Sequence, residues 1–240
     1  MLCSGIPWGA YMNAGSDLLN RSPLFAGLDH DAMQAIEGSS RVRGVDRGAT
    51  FFHQGDDAEL LYVLVTGSVK MVQVDATGHQ VVARVIGRGD MFGCAPILSR
   101  SHYPAAAEAL TDSFAWTWDC ATLDRLMATH SALMRNALSV VGARLAELQD
   151  RLLDVASVRV EQRLARTLLR LVRQAGRKVD DGVTIDMPLT RQDLAELSGT
   201  TLYTVSRILS RWEGDGMVAI GRHRVTIVDR HGIVALAEDL

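Results

Sequence analysis

The sequence has few cysteines, no long apolar run and no grouping of reactive side chains, and each shortage sets aside a class of protein. Cys3, Cys94 and Cys120 are the only thiols in 240 residues and lie far apart. That spacing argues against a disulfide framework and offers no paired-cysteine zinc site. The first twenty residues, MLCSGIPWGAYMNAGSDLLN, have neither a basic start nor a long apolar core. They read as a tail, residues 1–20, instead of a signal peptide or membrane span, so the expected compartment is the cytoplasm, with no membrane partner. No constellation for nucleophilic or acid–base catalysis stands out. The acidic pairs Asp56-Asp57 and Asp180-Asp181 sit in expected turns, where solvation is their simplest role. An enzyme is not expected.

What is present is a chain long enough for two domains and a sizeable core. Its composition, 48% hydrophobic and 22% charged, is that of a soluble globular protein. The net charge of −3 is unevenly divided. Residues 156–240 hold 13 Lys and Arg against 11 Asp and Glu, a net of +2, while residues 1–155 hold 12 against 17, a net of −5. The asymmetry suits localised phosphate contacts from the C-terminal part better than a broad basic surface.

The most specific pattern lies at Thr190–Glu213, TRQDLAELSGTTLYTVSRILSRWE. Thr190 with Asp193 three residues on resembles a capping box and opens a short helix with Leu194, Ala195 and Leu197 inward. Ser198-Gly199 ends it, since glycine allows the positive backbone angle of a sharp interhelical turn. Thr201 caps a second helix with an apolar face of Leu202, Val205, Ile208, Leu209 and Trp212. Tyr203, Thr204, Ser206, Arg207 and Arg211 fall on its other face. Short side chains with hydrogen-bonding tips suit close approach to phosphates and base edges, so this reads as a helix-turn-helix that enters a DNA major groove. An ordinary helical hairpin with a solvated polar face fits the same spacing.

From Arg41 to Trp118, short apolar or alternating runs are separated by glycine turns, as in ELLYVLVTGSVKMVQV and QVVARVIGRGDMFG. Many short strands at such spacing predict a β-barrel or sandwich, preceded by a short helix at Asp29–Glu37. Trp116 and Trp118, two apart, are expected to face one side and pack on the core. One long helix is expected from Thr122 to Ala156. Its residues Met134, Leu138, Val141, Leu145, Leu148, Leu152 and Val155 alternate spacings of four and three, a heptad pattern that fits a two-helix seam in a parallel homodimer. A single helix packed on its own β-domain is the alternative. Beyond it come a helix at Val160–Gln174, a loop at Arg177–Gly182, the short strand VTIDMP and, after the helix-turn-helix, a hairpin in MVAIGRHRVTIV with Arg222, His223 and Arg224 near its tip. The expected fold is α+β: a tail (1–20), a jelly-roll-like β-roll that senses an effector (21–121), a dimerisation helix (122–157) and a winged helix-turn-helix (158–240).

A β-roll, a long dimer helix and a C-terminal winged helix-turn-helix in that order resemble the superfamily of the cyclic-AMP receptor protein and the fumarate-nitrate regulator. The resemblance covers about residues 21–240 and rests on SPLFAGL, FFHQGDDAELLYVLVTGSVKMVQ, GRGDMFG and the helix-turn-helix. Within it, YPAAAEALTDS, VEQRLARTLLRLVRQAGRK and GTTLYTVSRILS are most similar to the nitrogen-oxide-responsive denitrification regulators. The resemblance implies a homodimeric transcription regulator that binds a two-fold-symmetric operator in double-stranded DNA and meets RNA polymerase. Arg207 matches the family arginine of the Thr-Val-Ser-Arg segment, which implies a bidentate contact to guanine O6 and N7. Tyr203 stands where many relatives carry a glutamate, Leu202 offers apolar contact, and Thr190, Arg191, Gln192, Thr201, Thr204 and Ser206 are placed for phosphates, with Arg211 on the same polar face.

The implied effector pocket includes Gly93, Cys94, His102 and Tyr103. Members that hold cyclic AMP use a Gly-Glu segment and an Arg-Ser pair, where this chain has Gly93-Cys94 and Tyr103-Pro104. With no arginine for the phosphate and no glutamate for the ribose, cyclic AMP is not expected. Only Cys3 lies near the N-terminus, so an iron–sulfur cluster is not expected either. Haem is an open cofactor, with His79, His102 or Cys94 as conceivable ligands. Each also has a plainer role: turn histidine, loop histidine and small buried thiol. Nitric oxide or a related nitrogen oxide is the expected signal. The alternative is a regulator that needs no small ligand, or one that answers a redox or metabolite signal.

Overall fold

The computed structural model describes residues 18–19, 22–78, 80–93 and 101–238, and the side chains there except those of 151–157. The chain divides into two compact units. One comprises the described residues up to Ser68 together with Ile86–Ala146, and the other comprises Val69–Val85 with the described residues from Glu147 onward.

The first unit opens with helix α1, His30–Ser39, where the Asp29 carboxylate accepts from the Ala32 N–H at 2.8 Å. Its main sheet runs β1-β7-β2-β5, all antiparallel, from strands β1 (Arg41–Val45), β2 (Leu60–Thr66), β5 (Met91–Phe92) and β7 (Ser113–Asp119). The pairing sets Leu61 opposite Trp118 and Val63 opposite Trp116. Because strand side chains alternate with period two, Leu61, Val63 and Val65 share one face, and Tyr62 and Leu64 point to the other. On the first face Trp116 and Trp118 do pack on the core, with ring centroids 6.4 Å apart in an edge-on arrangement. Phe25 lies 5.5 Å from Trp118, whose indole N–H donates to the Ile36 carbonyl at 2.9 Å. Each indole buries enough apolar area to contribute about 4–6 kcal/mol before entropy is counted. Leu18 and Leu19, which the sequence reading leaves in the tail, are buried in this same core.

The stretch expected as one helix from Thr122 is two: α2, Cys120–Thr129, and α3, Ser131–Ser157. His130 leaves the helical region at φ −120°, ψ 88°. The Thr129 hydroxyl turns back to the Arg125 carbonyl, and the His130 carbonyl accepts from the Leu133 N–H. The break escapes a reading of periodicity because Leu123, Leu126, Leu133, Ala137 and Val140 keep helical phase across it, all packed in the core.

The second unit contains the hairpin β3 (Val69–Val74) and β4 (Gln80–Ile86), helix α4 (Val160–Ala175) and the reading pair α5 (Arg191–Ser198) and α6 (Leu202–Gly214). Leu164, Thr167, Leu168 and Leu171 form the buried stripe of α4, as their spacing predicts. A four-stranded sheet, β10-β11-β9-β8, backs the helices. It combines the wing strands β10 (Val218–Gly221) and β11 (Arg224–Ile227) with β9 (Gly182–Ile185) and β8 (Gly176–Val179). Most of the expected Arg177–Gly182 loop is therefore strand: Arg177 pairs with Thr184 and Val179 with Gly182, leaving only Asp180-Asp181 to turn. The closing helix α7, Arg230–Glu238, has no counterpart in the sequence reading; Ile233 anchors it, and Gln162 and Arg166 both donate to the Ala237 carbonyl.

Candidate nucleic-acid interface

Each helix start in this pair is fixed by bonds between near neighbours. At the start of α5 the Asp193 N–H donates to the Thr190 hydroxyl at 3.0 Å, and the Thr190 N–H donates to the Asp193 carboxylate at 2.8 Å. This reciprocal cap satisfies two backbone donors that a helix start otherwise leaves bare. Gly199 takes φ 63°, ψ 47°, the left-handed turn expected of it. Thr201 then caps α6 by accepting from the Thr204 N–H at 3.2 Å. Val205, Ile208, Leu209 and Trp212 of α6 are buried. Leu202, assigned by its spacing to that apolar face, is 46% exposed instead, because it stands in the first turn before the helix reaches its support.

Opposite the buried face, Tyr203 is 78% exposed and Arg207, one turn on, is exposed beside it. Thr201 is exposed as well, while Thr204 and Ser206 are half-buried between cap and face. On α5, Arg191 and Gln192 are exposed and Thr190 is half-buried. The structure thus brings these expected contacts to the two adjoining helices. Neighbouring carboxylates are engaged elsewhere. Glu196 accepts from the Val82 N–H at 2.9 Å and from the Gln192 amide at 2.7 Å, and Glu213 accepts from the Ile220 N–H at 3.0 Å. Arg191 and Arg207 have no carboxylate partner among the described residues, so their charge is directed outward. Arg211 differs, because its guanidinium is bonded to Glu161 of α4.

A residue that sequence reasoning missed holds the turn. Arg163 of α4 donates to the carbonyls of Ser198 and Gly199 at 3.0 Å each, and to that of Val158 at 2.7 Å. One guanidinium thereby ties the interhelical turn to the segment between α3 and α4. Only the abundance of arginine in α4 hinted at it, and a partner 35 residues away leaves no local signature.

In the first unit, the expected effector residues separate. Gly93, at φ 75°, and Tyr103 lie together: a Cβ at Gly93 would sit 3.3 Å from the Tyr103 ring and 2.9 Å from the Leu60 carbonyl oxygen. Tyr103 is buried, stacks on Phe52 at 3.7 Å, and its hydroxyl donates to the Leu60 carbonyl while accepting from the Leu60 N–H. Burial pushes its phenol well above the usual tyrosine range. Phe51, Phe52, Tyr62 and Phe92 complete a cluster of rings on the sheet face opposite the tryptophans. His102 is not part of it. Its ring faces solvent, with a side chain 68% exposed and Nδ1 at 2.8 Å from the Asp57 carboxylate. Cys94 and His79 lie outside the described residues. Among the described residues no group of three or more His, Cys, Asp or Glu is placed to hold a metal ion, and no helix is long and apolar enough to cross a membrane.

Comparison with known proteins agrees with this arrangement. Residues 42–130 match the cyclic nucleotide-binding domain family and residues 162–236 match the Crp-like helix-turn-helix domain family. The chain is 25% identical over 213 residues to the CRP-like cAMP-activated global transcriptional regulator of Mycobacterium tuberculosis, covering 89% of this chain and 95% of that one. It is 27% identical over 209 residues to the fumarate and nitrate reduction regulatory protein of Salmonella typhimurium, covering 87% and 83%. Among solved structures, FixK2 from Bradyrhizobium japonicum shares the fold with a TM-score of 0.74 at 23% identity, over 82% of this chain and 96% of that one. The two domains in this order define a DNA-binding transcription regulator, and the relatives are regulators, not enzymes. The chain carries a cyclic nucleotide-binding domain followed by a Crp-like helix-turn-helix domain, the arrangement of CRP/FNR-type transcription regulators.

Proposed function

We propose that the protein works as a homodimer that reads a two-fold-symmetric site in double-stranded DNA through α6, under the control of an effector sensed in the β-roll. The observation that carries this reading is a line of exposed apolar residues along α3. Met134, Leu138, Val141, Leu145 and Leu148 are 44%, 67%, 36%, 58% and 56% exposed, in heptad register. A single protomer that leaves such a stripe in water forgoes about 1.5–3 kcal/mol for each large side chain, which a second copy recovers. Leu152 and Val155 continue the register beyond the described side chains. On the DNA side, Arg207 and Tyr203 read bases, with Leu202 as an apolar neighbour, and Thr190, Arg191, Gln192, Thr201, Thr204 and Ser206 hold phosphates. Selecting bound duplexes from a random library tests both halves at once. The expected product is an inverted repeat whose half-sites are centred about 34 Å apart. Recovery of a single unrepeated half-site would overturn the dimeric reading.

The effector reading rests on subfamily similarity to the nitrogen-oxide-responsive regulators, and nitric oxide is the proposed signal. The ring cluster at Gly93 and Tyr103 supports the exclusion of cyclic AMP: Tyr103, buried and stacked on Phe52, stands where members that hold the nucleotide carry an arginine. Micromolar binding of cyclic AMP by calorimetry would overturn that exclusion, and unchanged DNA affinity with nitric oxide would overturn the signal. Haem does not fit the one described candidate, because the His102 ring pairs with Asp57 at the surface. The alternative is a regulator that acts without any small ligand. RNA polymerase as partner and the cytoplasm as compartment follow from the same family reading.

A further inference from the structure

We propose that Glu161 is a positioning residue that holds the C-terminal end of the reading helix and, in doing so, withholds the positive charge of Arg211 from DNA. This rests on α6 being the reading helix.

Glu161 stands in the first turn of α4, and one of its oxygens, Oε1, accepts from two consecutive residues of α6. The Trp212 indole N–H donates at 2.9 Å, and the Arg211 guanidinium donates through Nη2. Trp212 is buried in the helix-turn-helix core, and Arg211, next to it in the chain, is exposed. One carboxylate therefore spans the boundary between the buried and the exposed face of α6. The indole bond has an evident structural use, since a buried N–H without an acceptor costs about 1–3 kcal/mol. That use needs only an oxygen. A neutral amide would serve it equally, and a charge is not called for.

The charge acts on Arg211. Of the arginines on the two reading helices, Arg191 and Arg207 are exposed with no carboxylate partner among the described residues, whereas Arg211 is neutralised by an ion pair within the same unit. A phosphate that bound Arg211 would first have to displace Glu161 and would then face its repulsion. Glu161 thus reduces sequence-independent affinity while leaving Arg207 free to discriminate bases. This favours selectivity, because phosphate contacts strengthen binding to every sequence alike.

The test is the salt dependence of binding to a random-sequence 30-bp duplex, measured from 50 to 200 mM salt. Glu161→Gln keeps an acceptor for the Trp212 indole and removes the charge. It is expected to raise affinity several-fold at the low end and to steepen the log–log salt slope by about 0.9 per protomer, the signature of one added phosphate contact. The gain should disappear in Glu161→Gln/Arg211→Ala. A purely structural role would lower affinity at all salt concentrations without steepening the slope, and that result overturns the proposal, as does a gain that survives in the double variant. Should Glu161→Gln fail to fold, Arg211→Ala in the native background decides. It is expected to reduce the slope by less than half of what Arg191→Ala does, and an equal reduction overturns the masking. Arg207→Ala and Arg191→Ala run alongside separate the two claims. If both leave DNA binding intact, α6 is not the reading head. If both weaken it while Glu161→Gln leaves the slope unchanged, only the role of Glu161 falls.

Discussion

The helix caps of the helix-turn-helix in the C-terminal unit and the ring cluster in the N-terminal unit are both held by close contacts, yet over different distances along the chain. In the first, Thr190 bonds Asp193 and Thr201 bonds Thr204, each three residues away. In the second, Tyr103 stacks on Phe52 and bonds Leu60, which lies 43 residues away. A cap that depends on i and i+3 is written in the local sequence, whereas a ring stack depends on where a whole sheet places two distant turns. The reading head can therefore be inferred from a dozen letters, and the interior of the β-roll cannot. A third region, the outer face of α3, belongs to neither kind: its apolar residues are legible in sequence and stay exposed among the described residues.

That third region gives the largest expected effect. Leu145 is 58% exposed in one protomer, so Leu145→Lys should leave an isolated chain folded. Across a two-fold seam it would set two like charges facing each other where truncation alone costs about 2–5 kcal/mol per site. Sedimentation is expected to show monomer at micromolar concentration, with operator affinity lost in parallel. A variant that remains fully dimeric would remove the seam.

Gly93→Ala tests the ring cluster. The residue has φ 75°, and its new methyl would approach the Leu60 carbonyl at 2.9 Å and the Tyr62 ring at 3.1 Å. Left-handed strain together with a displaced ring should cost about 2–3 kcal/mol in a urea melt. If the cluster is instead a loose pocket that opens for a ligand, the rings will give way and the cost will fall to the left-handed strain alone, about 1 kcal/mol.

Arg207→Ala addresses the reading head. It should lose about 1–3 kcal/mol of operator affinity and relax preference at one base pair per half-site, with folding unchanged because the side chain is exposed. Arg191→Ala should weaken binding to all duplexes alike. If Arg207→Ala leaves base preference intact, the exposed face of α6 is a solvated surface, the ordinary helical hairpin that the spacing also permits.

The particular residues show where legibility ends. Thr190, Asp193, Gly199 and Thr201 each act as their local pattern predicts, and the stripes of α4 and α6 bury as expected apart from Leu202. What the sequence hides is set by tertiary placement. Unbroken phase hides the break at His130, Arg163 finds its carbonyls across the unit, and Glu161 pairs with Arg211 from another helix. Gly93 and Tyr103 do meet, yet as a packed pair. His102, one residue before Tyr103, faces solvent because alternation along an extended segment sends neighbours to opposite sides.

The smallest effect separates the two kinds of helix cap by pH. Asp119 caps α2, its carboxylate accepting from the Thr122 N–H at 2.8 Å. Bonds from the Thr122 backbone and hydroxyl, with Arg41 and Arg125 nearby, hold its carboxyl below the usual value of 3.8. A carboxyl with a depressed folded-state value stabilises the fold above its unfolded value and ceases to do so as pH falls through the folded one. Asp119→Ala should therefore cost about 1 kcal/mol at pH 7, the usual worth of an N-cap, and the gap to the native protein should close as pH drops below about 4. Thr201→Ala, which removes a cap made by a hydroxyl with no charge to lose, should cost a similar amount at both ends of that range. Urea melts of the two variants at pH 7 and at pH 3 make the comparison. A pH-independent cost at Asp119 would mean that its charge adds nothing to the cap and that geometry alone closes α2.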